Sequence, residues 1–592
     1  MRTSALALVL VLSACSRDAG TSAVAAVGAG SAGASVVYPR GPYGATVGAI
    51  VSDAAWPGVS ATGALGSVAL DTARDDALDT MTSAPVLVVR IGAGWCGTCQ
   101  WHAGHATTLL SSDVGPRVRL FDVLLFGEDN APATLDDAVA WQALQDVRTD
   151  VAIDPTVTVQ PFLPAQTRLP YVLVIDARTM TLRDALSMPT EDALEQSVRT
   201  ALATIDGVRA PAVTPPALVD GRFTRDEWDL VSAMTLTDPP PPETTNAFAD
   251  SIPAAALGGK VFSDLTFSPT DQVACASCHA PLRQFADGSP TPPEGVGRVT
   301  RNAPSLTLSA YERWQFWDGR ADSQWSQALM PIELPNEMGS SRLFVAHTIF
   351  EEYQPQYEAI FGTMPPLDDS LRFPANGKPG DPAWEAMAPA DQTAVTRILV
   401  NVGKSLEAFE RTFRGAGSQL DSYIAGDATA LTDAKKDGLL AFLQSGCVQC
   451  HWGPRMTDDA FHVLRFPTGS TELGPDPGRQ TGIPQLLASD FGAGGAWSDD
   501  TSKARPAPVA GAWTLGAFKT PQLRNVALTA PYGHGGNYGN LSDVVELIRT
   551  GGLAAGSPLT TGTTEPWVAP FDAANDAPIT SFLDVLDQQV TH

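Results

Sequence analysis

The sequence predicts a multidomain protein in which an α/β unit is followed by two further units, each built around one C-x-x-C-H motif. Three observations carry this. Short β-branched strands alternate with helical stretches from about Val47 to Asp206. A proline-rich stretch follows, with Pro211, Pro215, Pro216 and the run Pro239 to Pro242. Beyond it lie Cys275-Ala276-Ser277-Cys278-His279 and Cys447-Val448-Gln449-Cys450-His451. At 592 residues the chain has room for three or four domains, each able to bury its own core.

The N-terminus reads as a targeting segment over residues 1–15. Arg2 supplies a positive start, and Ala5 to Leu12 form an apolar run too short to span a bilayer. Leu12-Ser13-Ala14-Cys15 resembles the lipobox of bacterial lipoproteins. That resemblance implies a lipid on Cys15 and a periplasmic, membrane-anchored chain. Ser16 in place of Asp after the cysteine implies the outer membrane. The alternative is an ordinary secretory signal with a chance cysteine. Residues 16–44, rich in Ala, Gly and Ser, read as a flexible tether. The formal net charge of −27 excludes a nucleic-acid partner, because phosphates would be repelled, and suits solubility or a basic partner.

Seven cysteines give the strongest clue to chemistry. With Cys15 set aside, the others form three C-x-x-C pairs, and two of these are followed at once by histidine. C-x-x-C-H is the attachment signal for c-type haem. Two thiols at this spacing can each form a thioether to a haem vinyl group, and the next imidazole then reaches the iron. The motifs therefore predict two covalently bound c-type haems, on Cys275, Cys278 and His279 and on Cys447, Cys450 and His451. Zinc is the rival, but each cluster would need further ligands and no cysteine remains to supply them.

The third pair lies in the α/β unit, taken as residues 45–206. Strands are expected at Val86–Arg90, Val118–Phe126 and Tyr171–Ile175, and helices near 134–147 and 190–204. Trp95-Cys96-Gly97-Thr98-Cys99 follows the first strand, and Leu169-Pro170 precedes the last. This pattern resembles the thioredoxin family, which implies a cis-proline at Pro170, a nucleophilic Cys96 and a resolving Cys99. A cysteine at a helix N-terminus should have a lowered thiol pKa. The alternative is a structural disulfide in a domain without activity. Residues 207–245 read as a semi-rigid linker, which predicts semi-independent bodies with Cys96 away from both haems.

From about residue 221 onward the chain resembles the bacterial di-haem cytochrome c peroxidase and MauG superfamily. The resemblance rests on Leu257-Gly258-Gly259-Lys260-Val261-Phe262, both haem motifs, Arg301-Asn302-Ala303-Pro304, Phe316-Trp317-Asp318-Gly319-Arg320, Asn336-Glu337-Met338-Gly339 and Phe518 to Asn525. It implies two mainly α-helical, cytochrome-c-like haem domains, 246–420 for the peroxidatic haem and 421–592 for the electron-transfer haem. It implies Gln327 and Glu337 over the first haem, Glu337 moving the proton that O–O cleavage requires. Trp317 corresponds to the family's relay between haems. Asn302 and the carbonyls of Thr529 and Pro531 correspond to a Ca2+ site, and oxygen donors suit that cation.

Two departures stand out. Members that close the first haem at rest use a histidine about sixteen residues after the motif. Here Pro292 to Gly297 hold none, which predicts an open site of the MauG kind. The position of the second haem's sixth ligand is Ile548, which cannot coordinate iron. Tyr532, His534, Met456 and His462 are the nearby candidates. The implied activity is reduction of hydrogen peroxide by an external donor such as a small cytochrome c or cupredoxin. The alternatives are a MauG-like oxidase that modifies a partner protein, and an electron-transfer or redox-sensing protein.

Overall fold

The computed structural model describes residues 38–74, 84–210, 212, 215–236, 239–288, 295–415, 417–588 and 590–591. The targeting segment with Cys15, the tether up to residue 37 and Pro292 to Glu294 lie outside these.

The α/β unit begins with the hairpin β1 (Ala55–Val59) and β2 (Leu65–Ala69) and reaches its central strand at β3 (Val86–Gly92). Every residue of β3 is buried, as an apolar run covered on both faces must be. Next come α1 (Gly97–Gly104), α2 (Ala106–Leu110), β4 (Val118–Leu124), α3 (Leu135–Leu144), β5 (Asp150–Ile153), β6 (Tyr171–Asp176), β7 (Thr181–Ser187) and α4 (Glu191–Asp206). The seven strands lie in the order β2-β1-β5-β4-β3-β6-β7. Strand β3 runs parallel to β4 and antiparallel to β6, with Ile91 opposite Tyr171. The end of β3 that leads to Cys96 therefore lies beside the start of β6, where the Leu169–Pro170 peptide is cis. This is a thioredoxin-like arrangement.

The remainder is mainly helical: α5 (Arg225–Ser232), α6 (Ile252–Ser263), α7 (Cys275–Cys278), α8 (Gln324–Glu333), α9 (Arg342–Glu352), α10 (Gln354–Phe361), α11 (Pro382–Glu385), α12 (Pro389–Glu410), α13 (Gln419–Ile424), α14 (Asp433–Gln444), α15 (Arg479–Ala488), α16 (Leu541–Arg549) and α17 (Asp576–Leu583). Two-residue strand pairs join β8 (Arg414–Gly415) to β11 (Val590–Thr591) and β9 (Phe461–His462) to β10 (Phe518–Lys519). Two apolar cores organise these helices. The first gathers Leu257, Phe262, Trp325, Ile349 and Leu399, and Cys275 packs against it. Its axis is α12, which α6 approaches closely because a Cβ on Gly258 would stand 1.9 Å from the Ser405 carbonyl oxygen. The second gathers Leu439, Phe442, Val448, Phe582 and Leu586, with Cys447 and Trp452 packed against it. No helix among the described residues is long and apolar enough to cross a membrane.

Two expectations are corrected. The linker assigned to 207–245 contains α5, started by a Thr224–Glu227 capping box. Phe223, Val231 and Met234 are fully buried in the second core, so this segment is part of the fold. The α/β unit is also not a semi-independent body. Leu169 N donates to Gln449 Oε1 at 2.6 Å, Thr167 N to the Pro566 carbonyl at 3.0 Å, and Asn130 Nδ2 to the Phe461 carbonyl at 2.9 Å and Glu565 Oε1 at 2.8 Å. Arg313 pairs with Glu128 and Asp129. Periodicity along one segment carries no information about such cross-chain complementarity. The last residues of the assigned tether also join the fold, Gly44 N donating to the Ile50 carbonyl at 3.0 Å.

Candidate active site

Both C-x-x-C-H motifs hold their histidine in the same way. His279 Nδ1 lies 2.9 Å from the Phe285 carbonyl oxygen, and His451 Nδ1 lies 2.9 Å from the Met456 carbonyl oxygen. Phe285 (φ 57°) and Met456 (φ 55°) are both left-handed, which folds each loop back under its imidazole. An N–H donated from Nδ1 leaves the Nε2 lone pair for a metal. Burial lowers both histidine pKa values and so favours the neutral, ligating form. The four motif thiols are unpaired, and burial pushes Cys275 and Cys447 up to about 12 and Cys278 and Cys450 up to about 11. They are poor thiolates, and each lies one helical turn from its partner, as thioether attachment needs. The donor sets fit c-type haem.

A continuous cavity of about 380 Å3 joins the motifs, lined by Cys278 and His279 at one end and by Cys447, Cys450 and His451 at the other. Trp317 stands in its wall and ties the two cores together. Its Nε1 donates to the Asn302 carbonyl at 2.9 Å, and its carbonyl accepts from Lys519 N at 2.8 Å. Gln327 projects from α8, and Glu337 is brought back beside it by a tight turn. In that turn Met338 N donates to the Pro331 carbonyl at 3.1 Å, and Gly339 N to the Leu334 carbonyl at 3.0 Å. Burial raises the Glu337 pKa, and the Arg320 charge opposes the rise only in part. Arg320 is held by Asp318 at 3.1 Å and stacks over Phe316 at 3.5 Å.

The stretch expected to lack a closing histidine packs against this turn. Val296 N donates to the Glu337 carbonyl at 2.7 Å and Gly297 N to the Asn336 carbonyl at 3.3 Å. A Cβ on Gly295 would lie 2.3 Å from the Glu337 carbonyl oxygen, so only glycine fits there. Gly295 to Gly297 present no imidazole to the cavity.

Residues 253–429 match the family model described as di-haem cytochrome c peroxidase. The cytochrome c551 peroxidase of Pseudomonas aeruginosa is 30% identical over 298 residues, covering 49% of this chain and 70% of that protein. The chain belongs to the di-haem cytochrome c peroxidase family. The methylamine utilization protein MauG of Methylophilus methylotrophus is 27% identical over 327 residues, covering 52% of this chain and 79% of MauG. The solved di-haem peroxidase BthA of Burkholderia thailandensis is 21% identical with a TM-score of 0.45, covering 60% of this chain and 89% of BthA. Membership makes the chain an oxidoreductase of the peroxidase type with c-type haem cofactors, here joined to a thioredoxin-like unit.

Against this peroxidase family, the second motif's surroundings differ most. Ile548 lines the cavity, as do Tyr532, His534 and His462, whereas Met456 is buried outside the lining. The Tyr532 hydroxyl donates to the Val526 carbonyl at 2.9 Å. His462 is clamped, with Nδ1 2.7 Å from Glu565 Oε2 and Nε2 3.0 Å from Asp458 Oδ2, and the two carboxylates hold its pKa well above the usual value despite burial. Among the four candidates, His534 alone presents a buried imidazole nitrogen, Nε2, without a hydrogen-bond partner among the described residues. Burial pushes its pKa down to about 4, and its ring stacks on Phe518 at 3.7 Å. At the expected calcium position, Asn302 Nδ2 donates to the Pro531 carbonyl at 2.8 Å, Thr529 lines the same wall, and Asn302 Oδ1 is buried without a partner. An orphaned oxygen beside a carbonyl fits a small oxygen-seeking cation.

The structure places Cys96 and Cys99 beside the second motif, not apart from it. They form a disulfide at the N-terminus of α1, with Cys96 fully buried and Cys99 2% exposed. Thr98 Oγ1 donates to the Leu169 carbonyl at 2.8 Å, fixing the pair against Pro170. Sequence reasoning passed over Gln449, Trp452, Asp458 and Glu565. The only hint was that Gln449 and Trp452 flank residues of the second motif.

Proposed function

We propose that the chain reduces hydrogen peroxide to water at the first haem, with electrons from an external donor passing by way of the second. The observation that carries this reading is Glu337, a carboxyl with a raised pKa in the cavity wall beside Gln327 and the His279 end. Haem bound at His279 and His451 supplies redox-active iron. The chain's residues manage protons and positions around it. Glu337, when ionised, takes a proton from bound peroxide and returns it to the departing oxygen, so that peroxide, two electrons and two protons become two waters. The Gln327 amide holds peroxide or water through hydrogen bonds. The Arg320 charge favours the ionised form of Glu337. Trp317, bonded to both halves, is the relay between the two ends of the cavity.

Four finer elements complete the proposal. Each apolar core carries one haem, bound covalently through thioethers to Cys275 and Cys278 or to Cys447 and Cys450. A calcium ion bridges the cores at Asn302, Thr529 and Pro531. The donor is a small cytochrome c or cupredoxin. The lipobox at Cys15 supports export to the periplasm and a lipid anchor in the outer membrane.

With a reduced cytochrome as donor, each peroxide should consume two donor molecules in a steady-state assay. Absence of donor oxidation would sink the peroxidase reading. A second reading, oxidative modification of a partner protein, is favoured by the missing imidazole at Gly295 to Gly297, and it requires a mass change on that partner. Two haems per chain should survive acid–acetone extraction in a pyridine haemochrome assay, and a count of one or none would overturn attachment at both motifs.

A further inference from the structure

The dithiol pair sits where a soluble disulfide substrate cannot reach it. In thiol–disulfide exchange a thiolate must approach a sulfur along the S–S axis, so access decides reactivity. Trp95, Cys96 and Cys99 are 1%, 0% and 2% exposed. What covers them is the second haem-attachment loop. An ideal Cβ on Gly97 would stand 2.2 Å from the Trp452 ring, so the backbone between the two cysteines lies flat against the residue that follows His451. The Trp95 ring meets His462 edge to face at 4.6 Å, and His462 Nε2 is 3.8 Å from Cys450 Sγ. Leu169, next to Pro170, is hydrogen-bonded to Gln449, inside the motif. The face that a thioredoxin-like unit would offer to another protein is thus occupied by this chain's own haem loop.

We propose that Cys96 and Cys99 form an internal two-electron store that exchanges electrons with the second haem. In the forward direction the two thiols are oxidised to the disulfide, one S–S bond forms, and two S–H bonds break. The two electrons leave singly, reducing one ferric iron at His451 and, through Trp317, one at His279. The two protons are released toward the small pocket lined by Trp95, Gln100, Trp452 and Asp458. Run backwards, two ferrous haems and two protons return the disulfide to the dithiol. Contact by way of Trp95, His462 and Trp452 provides the route. The inference rests on haem attachment at Cys447 and Cys450 and does not depend on peroxide turnover.

Anaerobic titration of the haem-loaded protein with dithionite tests it. The native chain should take up four electrons, two for the haems and two for the disulfide, while C96S/C99S should take up two. Thiols trapped by alkylation after rapid mixing should appear after the ferrous haem bands, at a rate independent of dithionite concentration, because the step is intramolecular. Uptake of two electrons by both proteins would overturn the proposal. So would thiol formation in the native chain at a rate proportional to dithionite, which marks direct attack by the reagent. A haem count on the same samples separates either failure from a failure of haem attachment.

Discussion

Replacing Glu337 with Gln slows the reaction with hydrogen peroxide by roughly a hundredfold or more, the scale on which an acid–base group contributes. The substitution keeps the shape and hydrogen bonding of the side chain and removes only the proton acceptor. Haem absorption should stay nearly unchanged, because the carboxylate is not a ligand. The sign of the pH dependence follows from the burial of Glu337. A proton acceptor works only when ionised, and burial raises its pKa. The native rate should therefore climb with pH through a limb placed above the ordinary carboxylate range, while E337Q should lack that limb. Stopped-flow mixing with peroxide across pH 4 to 8 checks both statements, and equal rates in the two proteins would remove Glu337 from the mechanism.

Substituting Arg524 with Met should destabilise the second core by about 3–5 kcal/mol, the cost of leaving a buried charge without its partner. The Arg524 side chain is fully buried and holds Asp421 in a two-point bridge at 2.6 and 3.0 Å. It also donates to the Pro454 carbonyl at 3.0 Å and to the Met234 carbonyl, so one guanidinium ties α13 to α5 and to the loop after His451. Burial alone would raise the Asp421 pKa, but the Arg524 charge and hydrogen bonds hold it below the usual value. A carboxylate with a depressed folded pKa gives stability that is present above its unfolded pKa, near about 4, and is lost as pH falls through the folded pKa. In R524M the sign reverses: an unpaired buried carboxylate destabilises most at neutral pH, and the deficit narrows on acidification. Denaturant unfolding followed by the haem absorption at neutral and acidic pH measures this. A deficit that stays constant with pH would show that Asp421 finds another partner.

What was legible from residue order was local. The C-x-x-C-H motifs, the cysteine pair after a buried strand and the proline before its neighbour are short-range patterns whose geometry is set within a few residues. Family membership and the enzyme class followed from several such patterns together. What was not legible depends on surfaces that meet across hundreds of residues. Thr224 to Met234 looked like the end of a proline-rich linker, yet its Phe223 and Met234 fill the second core. Met456 looked like a candidate iron ligand. Instead its main-chain carbonyl braces the histidine from behind, a role that any residue type able to take a positive φ could fill and that leaves little trace in side-chain identity. The covering of Cys96 and Cys99 by Trp452 had no periodic signature at all.

The brace under each histidine has a consequence for how this protein could diverge. Both acceptors are peptide oxygens, Phe285 for His279 and Met456 for His451. A peptide oxygen does not titrate at physiological pH, and no exchange of side chain deletes it. The basicity lent to the two ligating imidazoles is therefore matched and insulated from mutation. Any inequality between the haems has to be written on their opposite faces, where one wall offers Glu337 and Gln327 and the other Ile548 and His534. Selection, or an engineer, can retune either centre by single substitutions on those walls without disturbing how the iron is held.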